Sequence, residues 1–160
     1  MIGSLIARHQ VKRAFSHLNQ KNLNGFLSAW NEQAVFQYPG QLSVSGSFAG
    51  RPAIEGWFAG FFEQFTRIHF QVRHVCVENL FDVAGNNNVI AYWDVQLTNR
   101  DGIDVENTGT NLIKIRQRKV VEVQDFFFYQ ERLAVGWNET CSATGTAVTR
   151  TVVTSAPTEP

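Results

Sequence analysis

Two acidic residues interrupt segments that otherwise read as apolar strands. Asp125 sits in Val120–Tyr129 (VVEVQDFFFY), directly before three phenylalanines, and Asp94 sits in Val89–Leu97 (VIAYWDVQL), behind Tyr92 and Trp93. A carboxylate enclosed among rings must be hydrogen-bonded, paired or protonated, because burying it alone costs on the order of several kcal/mol. Two carboxyl groups meeting in one dry cavity cannot both ionise, so one would keep its proton near neutral pH. That places an acid beside a base, as general acid–base catalysis requires. Asp125 and Asp94 are therefore the candidate catalytic residues.

Strand alternation sorts the neighbours of these acids. Val121, Val123, Asp125, Phe127 and Tyr129 share one face, while Glu122, Gln124, Phe126 and Phe128 share the other. Tyr92, Asp94 and Gln96 lie together, opposite Ala91, Trp93 and Val95. Asn111 points the same way as Ile113 and Ile115, so Asp94, Asn111 and Asp125 are expected to aim into apolar surroundings. Tyr38 and Tyr92 are candidate donors to an ionised carboxylate or a developing oxyanion. Trp57, Phe61 and Phe127 are the apolar candidates for contact with a ligand. The competing reading is structural: one Asp bonds the backbone or the Trp93 indole and closes the base of the cavity.

The elements that would position these residues divide into helices first and strands after. Val11, Ala14, Phe15 and Leu18 recur at helical spacing, predicting a helix from about Ser4 to Leu18. Leu23, Phe26, Leu27 and Trp30 predict a short second helix, and Ala34–Tyr38 a brief strand stopped by Pro39-Gly40. Residues 41–50 read as an irregular strand or loop. Pro52 opens a third helix whose stripe of Ile54, Trp57, Phe58, Phe61, Phe62 and Phe65 reads as core. Ile68–Asn79, Val89–Asn99, Asp104–Arg116 and Lys119–Glu131 are rich in β-branched and aromatic residues and read as four strands. The order argues for an α+β domain with helices on one face of a curved antiparallel sheet. Residues 1–137 form that single domain, and 138–160 a Thr-rich tail, mobile or adding one edge strand around Ala147–Val153.

Composition narrows the function classes. Fourteen basic residues balance fourteen acidic ones, so no basic field exists to hold nucleic acid or anionic lipid. Charged residues reach only 18% while aromatics reach 12%, which points to a ring-lined cavity or to surface covered by another subunit. The N-terminus lacks a secretory pattern and no segment approaches a membrane span, so a cytoplasmic protein is expected. Cys76 and Cys141 have neither disulfide nor metal-ligand spacing, and His17, His69 and His74 form no metal pattern. No cofactor is expected. Trp93, Phe126 and Phe128, assigned to the outer sheet face, predict a homodimer.

Three segments resemble the nuclear-transport-factor-2-like superfamily, specifically its SnoaL-like and ketosteroid-isomerase-like members. They are Val11–Gly40, with paired helices leading to a strand and a proline turn; FAGRPAIEGWFAGFF (Phe48–Phe62), similar to the lead-in of a long helix; and RKVVEVQDFFF (Arg118–Phe128), similar to a last strand. The resemblance implies a cone-shaped sheet wrapped around three N-terminal helices. The positions matching the ketosteroid-isomerase base, oxyanion tyrosine and oxyanion acid are Tyr38, Ala14 and Asn111, so that chemistry is not carried over. Asp94 and Asp125 resemble the paired acids of limonene-type epoxide hydrolases, with Tyr92 where that family has an arginine. The resemblance thus implies an apolar small molecule in an enclosed cavity, bound or turned over by hydrolase, isomerase or cyclase chemistry. A ligand carrier and a protein-association subunit are the alternatives on the same fold.

Overall fold

A computed structural model describes residues 2–139. Helices α1 (Ile2–Asn19) and α2 (Leu23–Leu27) come first, followed by β1 (Trp30–Tyr38), β2 (Gly46–Ala49) and α3 (Arg51–Gln64). Strands β3 (Phe65–Val77), β4 (Asn87–Asn99), β5 (Asp104–Arg116) and β6 (Lys119–Phe127) then lead to a short helix, α4 (Gln130–Gly136). The six strands form one curved sheet in the order β2-β1-β6-β5-β4-β3. The helices pack on its inner face, as expected for the α+β class. None of the described helices is long and apolar enough to cross a membrane.

Local chemistry explains most of the boundaries. Ala7, Val11, Phe15 and Leu18 bury one stripe of α1 against the core. The Asn22 side chain caps α2 by accepting from the Gly25 N–H at 2.9 Å. Gly50 precedes α3 at a positive φ of 84°, and Pro52 sits in its first turn, where a missing N–H costs nothing. The helix ends at Phe65, which turns extended and starts β3 with no linker. In β4 and β5 burial alternates residue by residue, with Ala91, Trp93, Val95 and Leu97 all buried on the inner face.

Five expectations need correction. The sheet is not wholly antiparallel, because β1 and β6 pair in parallel through Phe36–Val123 and Gln37–Gln124. The second helix stops at Leu27, since Trp30 already belongs to β1. Strand β6 ends at Phe127, and Gln130–Gly136 is helical; its apolar residues Leu133, Ala134 and Val135 follow an aromatic strand and offer too short a period to stand out. Trp93 is no outer residue: it is 1% exposed and packs against Phe15, Phe70 and Phe127. Asn138 and Glu139, assigned to the tail, bond the body instead. Asn138 accepts from Asn99 at 2.8 Å, and Glu139 accepts from the Ser43 hydroxyl at 2.5 Å. The rest of that tail, including Cys141 and the strand expected at 147–153, lies outside the described residues.

Candidate functional site

The inner face of the sheet and helices α1, α2 and α3 enclose a cavity of about 80 Å3, lined almost wholly by rings and aliphatic side chains. Phe15 and Leu18 come from α1, Phe26 from α2, Trp57, Phe58 and Phe61 from α3, and Phe36 and Tyr38 from β1. Its polar lining groups are Asp125, Asn111 and the Tyr38 hydroxyl. The register explains why the first two meet. Ala91, Asn111 and Asp125 lie in one row across β4, β5 and β6, and Trp93, Gly109 and Phe127 form the next row.

Gly109 is required in that second row. A Cβ there would come within 2.6 Å of the Trp93 ring and collide with the Phe126 carbonyl. The space lets the indole lie flat over β5, where its N–H donates to Asn111 Oδ1 at 2.5 Å. Because the indole can only donate, the Asn111 carbonyl must face it, and the amide NH2 is turned toward Asp125. Asn111 Nδ2 donates to Asp125 Oδ1. Trp93, Asn111 and Asp125 thus form a polar relay inside an apolar cavity.

Burial pushes the Asp125 carboxyl up to about 7, opposed in part by the hydrogen bond from Asn111, which favours the ionised form. At neutral pH the group is poised between acid and base. Tyr38 is buried beside it, and burial first, then the nearby Asp125 charge, hold its phenol well above the usual range. The phenol therefore stays protonated. The Trp137 indole donates to its oxygen at 3.1 Å, which leaves the Tyr38 O–H free to donate.

Asp94 is elsewhere. It lies on the outer face, where Arg73 Nε donates to it at 2.7 Å and the Thr108 hydroxyl at 2.9 Å. The Arg73 guanidinium and the Thr108 bond hold its carboxyl below the usual carboxylate range. The expected carboxylate pair is therefore not formed, since alternation sends Asp94 outward once Trp93 turns inward. Tyr92 also leaves the cavity, stacking on His74 and near Phe128 on the outer face. Tyr38, Asn111, Trp57, Phe61, Phe127 and Asp125 all line the cavity. Sequence reasoning missed Trp137 as a hydrogen-bond donor and offered the Trp93 indole as a partner for an Asp, whereas it donates to Asn111. The signal for Trp93 was present, because Ala91, Trp93, Val95 and Leu97 are apolar at every step while Tyr92, Asp94, Gln96 and Thr98 are polar or amphipathic. Among the described residues, no cluster of three His, Cys, Asp or Glu could hold a metal ion.

A family model, the SnoaL-like domain, matches residues 11–123. No curated protein matches the chain by sequence. Solved structures share the fold at low identity. An NTF2-like protein from Burkholderia pseudomallei superposes with a TM-score of 0.70 at 11% identity, covering 80% of this chain and 94% of its own. A protein with a ketosteroid isomerase-like fold from Catenulispora acidiphila, in complex with trimethylamine, gives 0.63 at 12% identity, covering 81% and 92%. TerC, co-crystallised with polyporic acid, gives 0.62 at 15% identity, covering 74% and 88%.

Proposed function

The chain belongs to the SnoaL-like domain family, and from that membership and the cavity chemistry we propose that it binds a small apolar molecule against Asp125 and acts on it by acid–base chemistry. The observation that carries this reading is a carboxyl group titrating near 7, held by Asn111 in an apolar cavity beside a protonated Tyr38. A single acid replaces the expected pair. In its ionised form Asp125 removes a proton from a carbon next to a ligand carbonyl. The C–H electrons form a C=C bond to the carbonyl carbon and the C=O π electrons move onto the oxygen, which accepts a hydrogen bond from the Tyr38 O–H. In a ligand with a further C=C bond beside that carbon, the protonated carboxyl returns the proton to the far end of that bond, so the double bond shifts and the enzyme ends unchanged. Relatives of the same fold crystallised with polyporic acid and with trimethylamine support a small-molecule role.

The test is turnover of enones, ketones and epoxides by the wild-type protein and by Asp125→Asn. The expected outcome is a carbonyl substrate whose turnover falls about 10²- to 10⁴-fold in the variant. Ligand binding with no turnover in either protein would assign a carrier instead, and epoxide opening that survives the substitution would overturn the role of Asp125.

A second observation favours self-association. Ile90, Phe126 and Phe128 are exposed on the outer sheet face, Phe126 at 42% and Phe128 at 56%, beside the partly exposed Tyr92. We propose that this aromatic patch is covered by a second copy of the chain. Sedimentation at micromolar concentration is expected to give a dimer, and a monomer overturns the proposal.

A further inference from the structure

Asp125 and Tyr38 wall more than the inner cavity. A second pocket, of about 250 Å3, is lined by these same two residues together with Gln37, Ser47, Gln124 and Phe126. Its position follows from the parallel seam between β1 and β6. Pairing there ends at Gln37–Gln124, one residue short of Tyr38 and Asp125. Beyond that rung Tyr38 pairs with Gly46 of β2, while Asp125 pairs with Asn111 of β5. The two strands thus lose their mutual hydrogen bonds at the residue pair that borders both spaces.

Size makes the second pocket matter. The inner cavity, at about 80 Å3, is roughly half the ~150 Å3 of an apolar cavity that accepts benzene. It takes a group of a few carbon atoms, such as a branched alkyl chain. Each heavy atom of a ligand can add only a limited gain, so a ligand confined to that space binds weakly. A useful ligand extends past Asp125. The adjoining space is different in kind: Gln37, Gln124 and Ser47 are neutral donors and acceptors, suited to an ether, hydroxyl or amide rather than to a charged group.

We propose that the two spaces form one two-part site, spanning the open end of the β1–β6 seam, for a neutral amphipathic carbonyl compound. This rests on the reading that the inner cavity binds a small apolar molecule, and it defines the rest of that molecule. The branched apolar end lies inside, the carbonyl lies between Asp125 and Tyr38, and a polar uncharged arm lies against Gln124 and Ser47.

Calorimetric titration of the full chain with two near-isosteric ketones tests the assignment. The probes are 2-methylnonan-4-one and 7-methoxy-2-methylheptan-4-one, which differ by one oxygen in place of a methylene in the arm. Gln124→Leu is expected to shift the affinity ratio about five- to tenfold against the ether, the size of one net hydrogen bond. Ser47→Ala is expected to shift it in the same direction and serves if the first variant folds poorly. Both ketones binding with an unchanged ratio in both variants overturns the two-part site and leaves the inner cavity standing. Binding of neither ketone to the wild-type protein overturns both.

Discussion

Asp125 and Asp94 occupy strands separated only by β5, yet one faces the cavity and the other faces outward. The inner carboxyl has a single neutral donor and is pushed up to about 7, chiefly by burial. The outer one is met by a guanidinium and a hydroxyl and is held below its ordinary value. The same residue type has acquired opposite properties through the parity of its position. A carboxylate in a sheet is therefore characterised by the row it stands in, and the rows here are set by Trp93.

The sharpest way to break this comparison is to remove the rings that define the two faces. Trp93→Ala deletes a side chain that is fully buried over Gly109 and that orients Asn111. Its expected cost is about 3–5 kcal/mol in urea unfolding, the range for large aromatic truncations in cores. Tyr92→Ala, one residue away on the outer face, is expected to cost about 1 kcal/mol or less at concentrations where the protein is monomeric. Equal losses from the two substitutions would mean that the outer face is as much core as the inner one.

The inner carboxyl also carries a pH signature. Its folded value of about 7 lies above its ordinary value of 3.8, so the native state binds more protons than the unfolded chain between those limits. Its contribution to stability is therefore complete below about pH 4 and is lost as pH rises through about 7. Asp125→Asn removes that slope, and at pH 8 the variant is expected to be more stable than the wild type by about 3–4 kcal/mol. Chemical unfolding across pH 4–8 measures it. A wild-type slope that persists unchanged in the variant would show that Asp125 is not the group responsible.

Much of this arrangement was legible beforehand, and the gaps have physical causes. Trp57 and Phe61 in the α3 stripe and Phe127 in β6 were named as apolar ligand contacts and line the cavity, because helical and strand periods leave distinct marks in sequence. Asp125 and Asn111 stood out as polar residues sharing the inward positions of Val123 and Ile113. The pairing of Asp94 with Asp125 failed because alternation defines two faces without saying which is inner. Reading Trp93 as a subunit contact chose the wrong one. The parallel β1–β6 seam was illegible too, since it joins segments about ninety residues apart and parallel pairing leaves no local turn signal. The same long-range closure hid Trp137, whose bond to Tyr38 joins the last described turn to the first strand.

The smallest expected effect belongs to the outer acid and has the opposite sign. Asp94 titrates below 3.8 in the folded protein, so its contribution is present above that value and disappears as pH falls through it toward the folded value. Arg73 and Asp94 are both more than a third exposed, at 46% and 37% of their side-chain surface, so water and salt screen the pair. Asp94→Asn is therefore expected to lose at most about 1 kcal/mol at neutral pH, the usual ceiling for an exposed ion pair. The loss should shrink further in molar salt, where the screening length drops to about 3 Å. The Thr108 hydroxyl can still bond an amide oxygen at position 94, which keeps the loss below that of deleting both contacts. Unfolding curves at low and high salt separate the terms. A salt-independent loss of several kcal/mol would place Asp94 in a desolvated interface, so that the outer face would be buried in the working protein and the contrast with Asp125 would vanish.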